Sequence, residues 1–496
     1  MSDVTRLQEE LKTKPESHWL ERGEKMALGL FHEMAARVPA YNDFLNSNGF
    51  DPKTVRTIDD FQRVPLIDKD NYLRKYPLEQ LCWDGNFDKN RWVISTTSGS
   101  TGEPFYFPRT DLQDELYAVT AELYLRENFQ IQDKSTLYVN AFAMGAWIGG
   151  VFTYEAIHRV AQKGYHLSTI TPGIHKAEVV NSIRKLGAKF DQVIIGCYPP
   201  MLRDIIDMGI KEGLNWGDYN LGIVFSAEGF SEEFRDYIAE RAQLNDIYKS
   251  TLNHYGTVDL GTMSHETPLS ILLRRQGLEN RELFKDLFGE ITKQPTVTQF
   301  MPEMFYFENV GSQLVCSAYG GLPLVRYDLK DRGSVLSLSD AEQIYQAHGK
   351  DLKTELGNHG LAETAWNLPL VYLYERSDFS VTFIGAQIYP EEIRRVLLHK
   401  EFRDQLTGKL TLEVDTDENM QSRLIVHSEL KNGHEASEVP TEALEEAIKH
   451  TLLKENTEYA SNYSSYGDQI RPHVRLWPYE HPTHFSGKGK QKWVKK

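Results

Sequence analysis

A run of hydroxyl side chains and glycines at residues 96–102, followed by Glu103 and Pro104, is the segment most directly suited to chemistry. Glycines let successive backbone N–H groups converge, and Ser and Thr add further donors, so such a run can surround an anion. The Gly-Lys-Ser/Thr ending of a Walker A loop and the GxGxxG pattern are both absent. The run follows a predicted strand and predicts a phosphate-binding loop, with a flexible surface turn as the alternative. Its residues are Thr97, Ser98, Gly99, Ser100, Thr101 and Gly102.

This loop resembles the phosphate loop of the adenylate-forming superfamily, which contains the acyl-CoA synthetases. The preceding sequence is similar to the phenylacetate–CoA ligase branch, and the matching elements are Phe50-Asp51-Pro52, the run 61–70 with Pro65 and Lys69, and Tyr76-Pro77. The resemblance implies a large N-terminal α/β domain and a small, mobile C-terminal lid domain. It also implies an ATP-dependent ligase that forms an acyl-adenylate and then transfers the acyl group to a thiol.

Three further segments resemble the nucleotide-binding motifs of the superfamily. In Asn253-His254-Tyr255-Gly256, the resemblance implies that the aromatic ring stacks on adenine, and that Asp259 helps to hold Mg²⁺. Both roles suit the residue types, because a ring offers a π-face to a base and a hard cation prefers carboxylate oxygens. The segment that follows the apolar run 221–225 resembles a loop that borders adenine; it is Ser226, Ala227 and Glu228.

A carboxylate for the ribose comes from the run 322–331, which resembles the family's Pro-x-x-Arg-Tyr-x-x-x-Asp. The resemblance implies that this Asp accepts hydrogen bonds from both ribose hydroxyls, a task that suits a carboxylate. Asp328 and Asp331 are both candidates, but only Asp331 has the family spacing. A solvated acidic turn is the alternative.

The last two motifs lie near and beyond the expected domain boundary. Arg376 and Asp378 resemble the Gly-Arg-x-Asp motif, in which the Arg contacts the nucleotide and the Asp is the hinge. Lys488 in Gly487-Lys488 resembles the lysine that bridges the attacking carboxylate and the α-phosphate, where a flexible cation suits charge developing on both oxygens. We prefer it slightly to Lys490, and a solvated basic tail is the alternative.

Three departures from the family pattern stand in these motifs. Glu103 occupies a region where relatives carry a lysine, and it would repel a triphosphate unless it turns to solvent or pairs with Arg109. Asp259 has a shorter arm than the usual Glu, which leaves direct metal contact open. Glu375 replaces a glycine beside the hinge. Together they permit a slow, repurposed or non-catalytic nucleotide-binding protein.

Around these motifs, short apolar runs alternate with amphipathic helices, which predicts α/β architecture with mostly parallel sheets. Strands are predicted at 91–96, 137–140, 192–196 and 222–225, and helices at 111–128, 176–186 and 231–244. Beyond the hinge we predict an α+β domain with a hairpin at 379–388, helices at 391–399 and 441–453, and strands at 410–414, 423–428 and 473–477. The predicted domains are therefore 1–376 for ATP and acid binding and 377–496 for the lid.

Composition limits the kind of partner and the compartment. With 71 acidic against 55 basic residues the formal charge is −16, which argues against a nucleic-acid partner. Three scattered cysteines fit a reducing cytosol, and the polar start carries no signal peptide, so we predict a cytoplasmic protein. The uncharged stretch 135–154 is long enough to span a bilayer, but its glycines predict a strand, a turn and a helix start, and hence no membrane partner. A lysine-rich tail contacting a membrane or nucleic acid is a further alternative.

The predicted function is ATP-dependent activation of an aromatic or alkyl carboxylic acid, with ATP, Mg²⁺ and CoA as cofactors. Phe142 and Tyr198 are candidates for an apolar acid pocket, as are Met144, Trp147 and Phe225. Transfer to the phosphopantetheine of a separate carrier protein is the alternative to CoA, because no carrier domain is present in the chain. The sequence does not indicate an oligomeric state.

Overall fold

Helices and strands alternate through most of the chain, as expected. The computed structural model describes residues 3–96, 105–146, 148–227, 229–289, 294–374, 381–383, 386–416, 422–456, 459–460, 463, 466–485 and 494–495. We call residues 3–374 the N-terminal region and 381–495 the C-terminal region. The helices are α1 (Asp3–Thr13), α2 (Glu16–Arg37), α3 (Pro39–Ser47), α4 (Ile58–Phe61), α5 (Leu78–Leu81), α6 (Asp111–Phe129), α7 (Ile148–Ala161), α8 (Lys176–Leu186), α9 (Pro199–Lys211), α10 (Glu232–Ala242), α11 (Pro268–Glu279), α12 (Arg281–Phe288), α13 (Leu338–Ala347), α14 (Leu352–Asn358), α15 (Pro390–Leu397) and α16 (Thr441–Glu455).

The strands of the N-terminal region are β1 (Val93–Thr96), β2 (Tyr106–Arg109), β3 (Thr136–Asn140), β4 (Leu167–Ile170), β5 (Gln192–Cys197), β6 (Leu221–Ser226), β7 (Thr251–Thr257), β8 (Gly261–His265), β9 (Thr296–Gln299), β10 (Tyr306–Val310), β11 (Gln313–Ala318), β12 (Leu324–Leu336) and β13 (Leu370–Leu373). Those of the C-terminal region are β14 (Val381–Phe383), β15 (Ala386–Ile388), β16 (Leu406–Thr416), β17 (Ser422–Leu430), β18 (His473–Trp477) and β19 (Val494–Lys495).

The largest sheet has eleven strands in the order β10-β11-β12-β13-β9-β8-β7-β6-β5-β3-β4. Neighbours from β4 to β7 in this order run parallel, and the other neighbours run antiparallel. The α/β class is confirmed, but the parallel arrangement holds for only one part of the sheet. Tight turns join β7 to β8 and β10 to β11, and a tight turn can connect only antiparallel neighbours.

Helices cover both faces of the parallel strands, which explains why these strands are apolar throughout. Successive side chains of a strand point to opposite faces. On β5, Val193 and Ile195 pack with helices α8, α9 and α10, whereas Ile194 packs with α6 and α7. The uncharged stretch 135–154 divides between β3 and the start of α7, as predicted. Among the described residues, no helix has both the length and the apolar character needed to cross a membrane.

The C-terminal region has its own apolar core and a four-stranded sheet in the order β18-β17-β16-β19. Leu412 and Val426 of this sheet pack with Leu444 of α16. Val494 pairs with Leu412 in a parallel register, so the backbone of this part of the basic tail belongs to the sheet. The predicted domain boundary at 376 falls among residues 375–380, outside the described residues, and it stays a prediction.

Candidate active site

Four of the predicted site residues lie at one edge of the parallel strands. Tyr198 follows β5 directly, and Phe142 lies shortly after the end of β3. Ser226 ends β6 and pairs with His254 of β7, the residue before Tyr255. Parallel strands deliver their carboxyl ends to the same edge, where ligands of α/β sheets bind. The fold therefore brings these four residues together at the edge where ligands of α/β sheets bind.

Ala227 turns the chain sharply at the end of β6. Its backbone adopts a left-handed conformation with φ of 73°. This conformation costs a non-glycine residue about 1–2 kcal/mol, and residues held in it cluster at functional sites. The strained backbone beside β7 supports a binding role for this loop.

The hydroxyl of Tyr255 donates a hydrogen bond to Oδ2 of Asp331 over 2.6 Å. Both residues are buried, and the bond joins two motifs that sequence analysis assigned separately to adenine and ribose. A hydroxyl–carboxylate bond of this length is charge-assisted, so it orients the carboxylate. One side of the Tyr255 ring lies near Phe307, with ring centroids 6.1 Å apart and an interplanar angle of 27°.

Gly256 has a packing reason to be glycine. A Cβ atom built at this position would lie 2.6 Å from the carbonyl oxygen of Gly261 on the adjacent strand β8. The tight approach of β8 therefore accounts for the glycine, and it fixes the direction of the preceding Tyr255 side chain.

Asp259 is held by two side chains that sequence analysis did not assign to the site. The ammonium of Lys69 lies 3.0 Å from Oδ2 of Asp259, and the hydroxyl of Tyr327 donates to the same oxygen over 2.5 Å. Asp259 itself is buried. A cation and a hydroxyl donor at one carboxylate oxygen fix its orientation and reduce its negative charge toward an approaching anion.

Strand β12 holds the N-terminal segment that carries Lys69. The amide of Asp328 donates to the carbonyl of Ile67 over 2.9 Å, and the amide of Ile67 donates to the carbonyl of Arg326 over 3.2 Å. The guanidinium of Arg326 donates to the carbonyl of Val64 over 2.6 Å. The arginine, tyrosine and first aspartate of the Pro-x-x-Arg-Tyr motif thus position the preceding segment. In the sequence, the contact between Lys69 and Asp259 is signalled only by the family-like run 61–70.

The two aspartates that were open as ribose ligands have different partners. Asp328 lies 2.7 Å from the ammonium of Lys330, which also lies 2.8 Å from Asp68. Partial burial disfavours the ammonium, but hydrogen bonds to Asp328 and Asp68 outweigh it and raise the pKa of Lys330. Asp328 is committed to this pair, whereas Asp331 lies beside Tyr255. The arrangement favours Asp331 as the nucleotide-facing carboxylate.

The antiparallel hairpin of β1 and β2 carries the predicted phosphate loop between its strands. At its base, the amide of Thr96 donates to the carbonyl of Ala146 over 2.9 Å. Arg109 forms a buried ion pair with Asp114 over 2.5 Å and donates to the hydroxyl of Ser95 over 3.0 Å. Arg109 therefore pairs with Asp114, whereas the sequence suggested Glu103 as a possible partner. A small cleft lined by Ser95, Arg109 and Asp259 joins the hairpin base to the carboxylate.

Phe142 and Tyr198 contact each other at the predicted acid pocket. Their rings meet edge to face with centroids 5.3 Å apart, and the amide of Ala143 donates to the hydroxyl of Tyr198 over 3.3 Å. Both side chains are buried. Phe225, by contrast, packs with Phe230 on the face covered by α8, α9 and α10.

The described side chains fit Mg²⁺ only if waters and phosphate oxygens supply most of its ligands. No cluster of three or more His, Cys, Asp or Glu side chains that could hold a metal occurs among the described residues. Among the described residues near the hairpin base, Asp114 is paired with Arg109, and Asp259 offers a carboxylate that lines the cleft. Mg²⁺ commonly binds through one or two carboxylates and keeps waters and phosphate oxygens as its other ligands.

Several predicted site residues lie outside the described part of the chain, and their roles stay predictions. They are the phosphate-loop residues Thr97, Ser98, Gly99, Ser100, Thr101 and Gly102, the acid-pocket candidate Trp147, the adenine-side Glu228, the nucleotide-contacting Arg376, the hinge residue Asp378 and the catalytic Lys488.

The chain is similar to known proteins in sequence and in fold. No protein-family model matches the chain. The phenylacetate-coenzyme A ligase of Thermus thermophilus is 25% identical over 328 residues, which cover 64% of this chain and 66% of that ligase. The match thus spans slightly less than two thirds of the relative.

A solved structure of 2-hydroxyisobutyryl-CoA ligase, in the postadenylation state with R3-HIB-AMP, superposes with a TM-score of 0.68 at 14% identity, over 98% of this chain and 91% of that one. The chain has the adenylate-forming fold. A GH3.15 acyl acid amido synthetase in complex with 2,4-DB also superposes, with a TM-score of 0.62 at 13% identity, over 99% of this chain and 94% of that one. These structural likenesses confirm the predicted fold class, and the similarity to a phenylacetate-coenzyme A ligase agrees with the resemblance seen in the motifs.

Proposed function

We propose that this protein activates a carboxylic acid with ATP and transfers the acyl group to a thiol. In the first step a carboxylate oxygen attacks the α-phosphorus, the bond between the α-phosphorus and the bridging oxygen breaks, and pyrophosphate leaves. In the second step the thiol sulfur attacks the acyl carbon, AMP leaves, and the thiol proton is released. The similarity to a CoA ligase supports this reaction class, and CoA is the proposed acceptor.

The juxtaposition of Tyr255 and Asp331 carries the proposal. Two motifs far apart in the sequence meet through one buried hydrogen bond at the edge where a nucleotide would bind. Asp331, oriented by this bond, accepts hydrogen bonds from the ribose hydroxyls, and the ring of Tyr255 lies beside the base. The loop Ser226–Ala227, with its strained backbone, borders the base on the other side.

Charge near the triphosphate comes from Lys69 and the loop backbone. The phosphate loop lacks a lysine and carries Glu103 instead. Lys69 supplies an ammonium at Asp259, near the hairpin base that holds the loop. We assign Lys69 to the phosphates and Asp259 to the metal that accompanies them, where Mg²⁺ would neutralise phosphate charge. Lys488 spreads the charge that develops on the attacking and α-phosphate oxygens.

The acid is proposed to be aromatic or alkyl because Phe142 and Tyr198 form an apolar cluster at the carboxyl edge of the parallel strands. Among the described residues of the segment 140–150, no acidic side chain is present that could pair with a substrate ammonium. A simple aromatic or alkyl acid is therefore favoured over an amino acid.

We propose that the protein lies in the cytoplasm.

Lys488→Ala tests the assignment, with Lys490→Ala as its matched control two residues away. We expect Lys488→Ala to abolish acid-dependent ATP–pyrophosphate exchange while ATP binding, measured by calorimetry, is retained. Lys490→Ala should keep exchange within a few-fold of the unmodified protein. Full exchange activity in Lys488→Ala would overturn the assignment, and silence of the unmodified protein over a broad acid panel would favour a non-catalytic nucleotide-binding protein.

A further inference from the structure

One ammonium group of the N-terminal region holds the turn that precedes Lys488. This turn, residues 478–484, follows β18. The Nζ of Lys176 donates to the hydroxyl of Tyr479 over 2.5 Å and to Oε1 of Glu480 over 2.6 Å, both in the turn. It also donates to Oδ2 of Asp204 in α9 over 3.2 Å. An ammonium has three protons to donate, so these acceptors match its capacity.

These contacts belong to a closed ring of five charged side chains, which we call the charge ring. Asp204 Oδ2 lies 2.9 Å from the ammonium of Lys409, and Lys409 lies 3.1 Å from Oε2 of Glu429. The other oxygen of Glu429 accepts the backbone amide of Glu480 over 2.8 Å, and Glu480 returns to Lys176. The charges alternate from Lys176 to Glu429, and the last link joins two acidic residues through the backbone amide of Glu480. The ring connects the two regions of the chain.

The charge ring is largely excluded from water. The side chains of Lys176, Asp204, Lys409 and Glu429 are at most 14% exposed, and Glu480 is 42% exposed. Burial disfavours the ammonium of Lys176, but Asp204, Glu480 and Tyr479 outweigh it and raise its pKa. Burial likewise disfavours the Asp204 carboxylate, but Lys409 and Lys176 outweigh it and lower its pKa. Removing one partner of such a buried network leaves an uncompensated charge, so the ring resists partial opening.

The position of the ring links it to the candidate site. Lys176 is the first residue of α8, which follows β4, and Asp204 lies in the first half of α9, the helix that follows β5 and Tyr198. Both therefore stand at the carboxyl edge of the parallel strands. Phe485 follows the turn. Its side chain is buried, and its backbone amide donates a hydrogen bond to the carbonyl of His481 over 2.8 Å. Both interactions fix the chain three residues before Lys488.

We propose that Lys176 is a positioning residue for adenylate formation, which sets the segment leading to Lys488 against the site edge. The proposal rests on the proposed function, because it assigns Lys488 to the first step only. A catalytic group must be placed to within about 1 Å, and a misplacement of that size lowers rates by roughly a hundredfold. Holding Tyr479 and Glu480 supplies that placement from the N-terminal region.

Measuring the two half-reactions separately tests this role. Lys176→Met removes the ammonium, Lys176→Arg keeps a cation that can donate to both residues of the turn, and Lys185→Met changes an exposed lysine of the same helix as a control. We expect Lys176→Met to slow ATP–pyrophosphate exchange by roughly tenfold or more, with conversion of a chemically prepared acyl-adenylate to its CoA thioester unchanged. Lys176→Arg should recover most of the exchange, and Lys185→Met should match the unmodified protein. Equal loss in both half-reactions, or no loss in either, would overturn the positioning role.

A readout independent of activity separates this proposal from the proposed function. Hydrogen–deuterium exchange of residues 478–485 should accelerate in Lys176→Met and not in Lys185→Met. If Lys176→Met does not fold, Glu480→Gln removes the other end of the ion pair at a more exposed position, and the same acceleration is expected. An unmodified protein silent in both half-reactions overturns the proposed function. An active unmodified protein, with unchanged hydrogen exchange in the variants, overturns the charge ring as the holding device.

Discussion

The ammonium of Lys69 lies 3.0 Å from Oδ2 of Asp259, although 190 positions of sequence separate a segment before the phosphate loop from the predicted metal ligand. The side chain of Lys69 is partly exposed and that of Asp259 is buried, with exposures of 28% and 6%. Lys69 is thus open to an incoming anion while its partner holds it in place. The pair offers a physical explanation for a phosphate loop that carries Glu103 in place of a lysine.

Lys69→Met should lower kcat/KM for Mg-ATP by roughly ten- to a hundredfold, because a hydrogen bond between charged groups contributes about 1.5–3 kcal/mol. Lys69→Arg should retain part of the activity, since the cation is kept. Lys75→Met, at an exposed position of the same segment, serves as the control and should leave the kinetics unchanged. Equal kinetics for Lys69→Met and Lys75→Met would contradict the assignment of Lys69 to the phosphates.

Tyr255→Phe should raise the KM for ATP by roughly tenfold and leave the KM for the acid nearly unchanged. The variant keeps the ring but removes the hydroxyl that orients Asp331, and such a bond to a carboxylate is worth about 1.5–3 kcal/mol. Tyr345→Phe, which removes a buried hydroxyl from a separate core, is the control. If Asp331→Asn raises the KM for ATP but Tyr255→Phe does not, the hydroxyl has no orienting role.

The parallel strands and their site residues could be predicted because the determining interactions are local. The apolar runs of β3, β5 and β6 are continuous, since both faces are buried, and helix α8 begins and ends where its amphipathic pattern does. Ser226 and Tyr198 follow such strands, so the architecture alone brings them to one edge.

The partners of the site residues could not be predicted because they come from distant segments. Lys69 reaches Asp259 only because backbone hydrogen bonds hold Ile67 along β12, and no local pattern encodes that register. The sequence offers Arg109 as a possible partner for Glu103, but in the structure Arg109 pairs with Asp114, one helical turn into α6. The charge ring likewise forms only after the two regions meet.

Gly408→Ala should destabilise the protein more than Gly433→Ala. Both glycines have left-handed backbones, with φ of 79° and 89°, so both variants should lose about 1 kcal/mol from backbone strain. A Cβ atom at 408 would also lie 2.7 Å from Nη1 of Arg203 and 2.9 Å from Cδ2 of Leu398, whereas nothing lies within 4 Å at 433. The other terminal nitrogen of Arg203, Nη2, donates to the backbone carbonyl of Leu406. We expect an additional loss of about 1–3 kcal/mol at 408, measured by denaturant unfolding.

Arg203→Ala combined with each glycine variant locates this effect. The additional loss at 408 should shrink when Arg203 is truncated, while the effect at 433 should be unchanged. Equal destabilisation by the two glycine variants would show that the contact between the regions does not restrict position 408.

Acidification below pH 6.5 should reduce stability through His265. Burial lowers the pKa of His265 to about 4 from its ordinary 6.5, although its hydrogen bond to the carbonyl of Glu266 opposes the shift. Between these values the unfolded chain binds the proton and the folded chain does not, so the free energy of unfolding falls as the pH falls. The full loss from this group is about 3 kcal/mol and is complete near pH 4.

His265→Asn isolates this contribution, because an amide can donate to the Glu266 carbonyl without titrating. The stability difference between the unmodified protein and this variant should decrease by up to about 3 kcal/mol from pH 6.5 to 4. His399→Asn, the same substitution at an exposed position, is the matched control. A constant difference for His265→Asn would show that its imidazole is not the titrating group.

The central claim, attack of a carboxylate oxygen on the α-phosphorus of ATP, is tested most directly by isotope transfer. A substrate acid identified by ATP–pyrophosphate exchange is labelled with oxygen-18 in its carboxylate, and the products with CoA are analysed by mass spectrometry. We predict AMP carrying one oxygen-18 atom and unlabelled pyrophosphate, because the carboxylate oxygen stays on phosphorus when the thiol displaces AMP. Formation of ADP with the label in inorganic phosphate, or unlabelled AMP, would contradict the account.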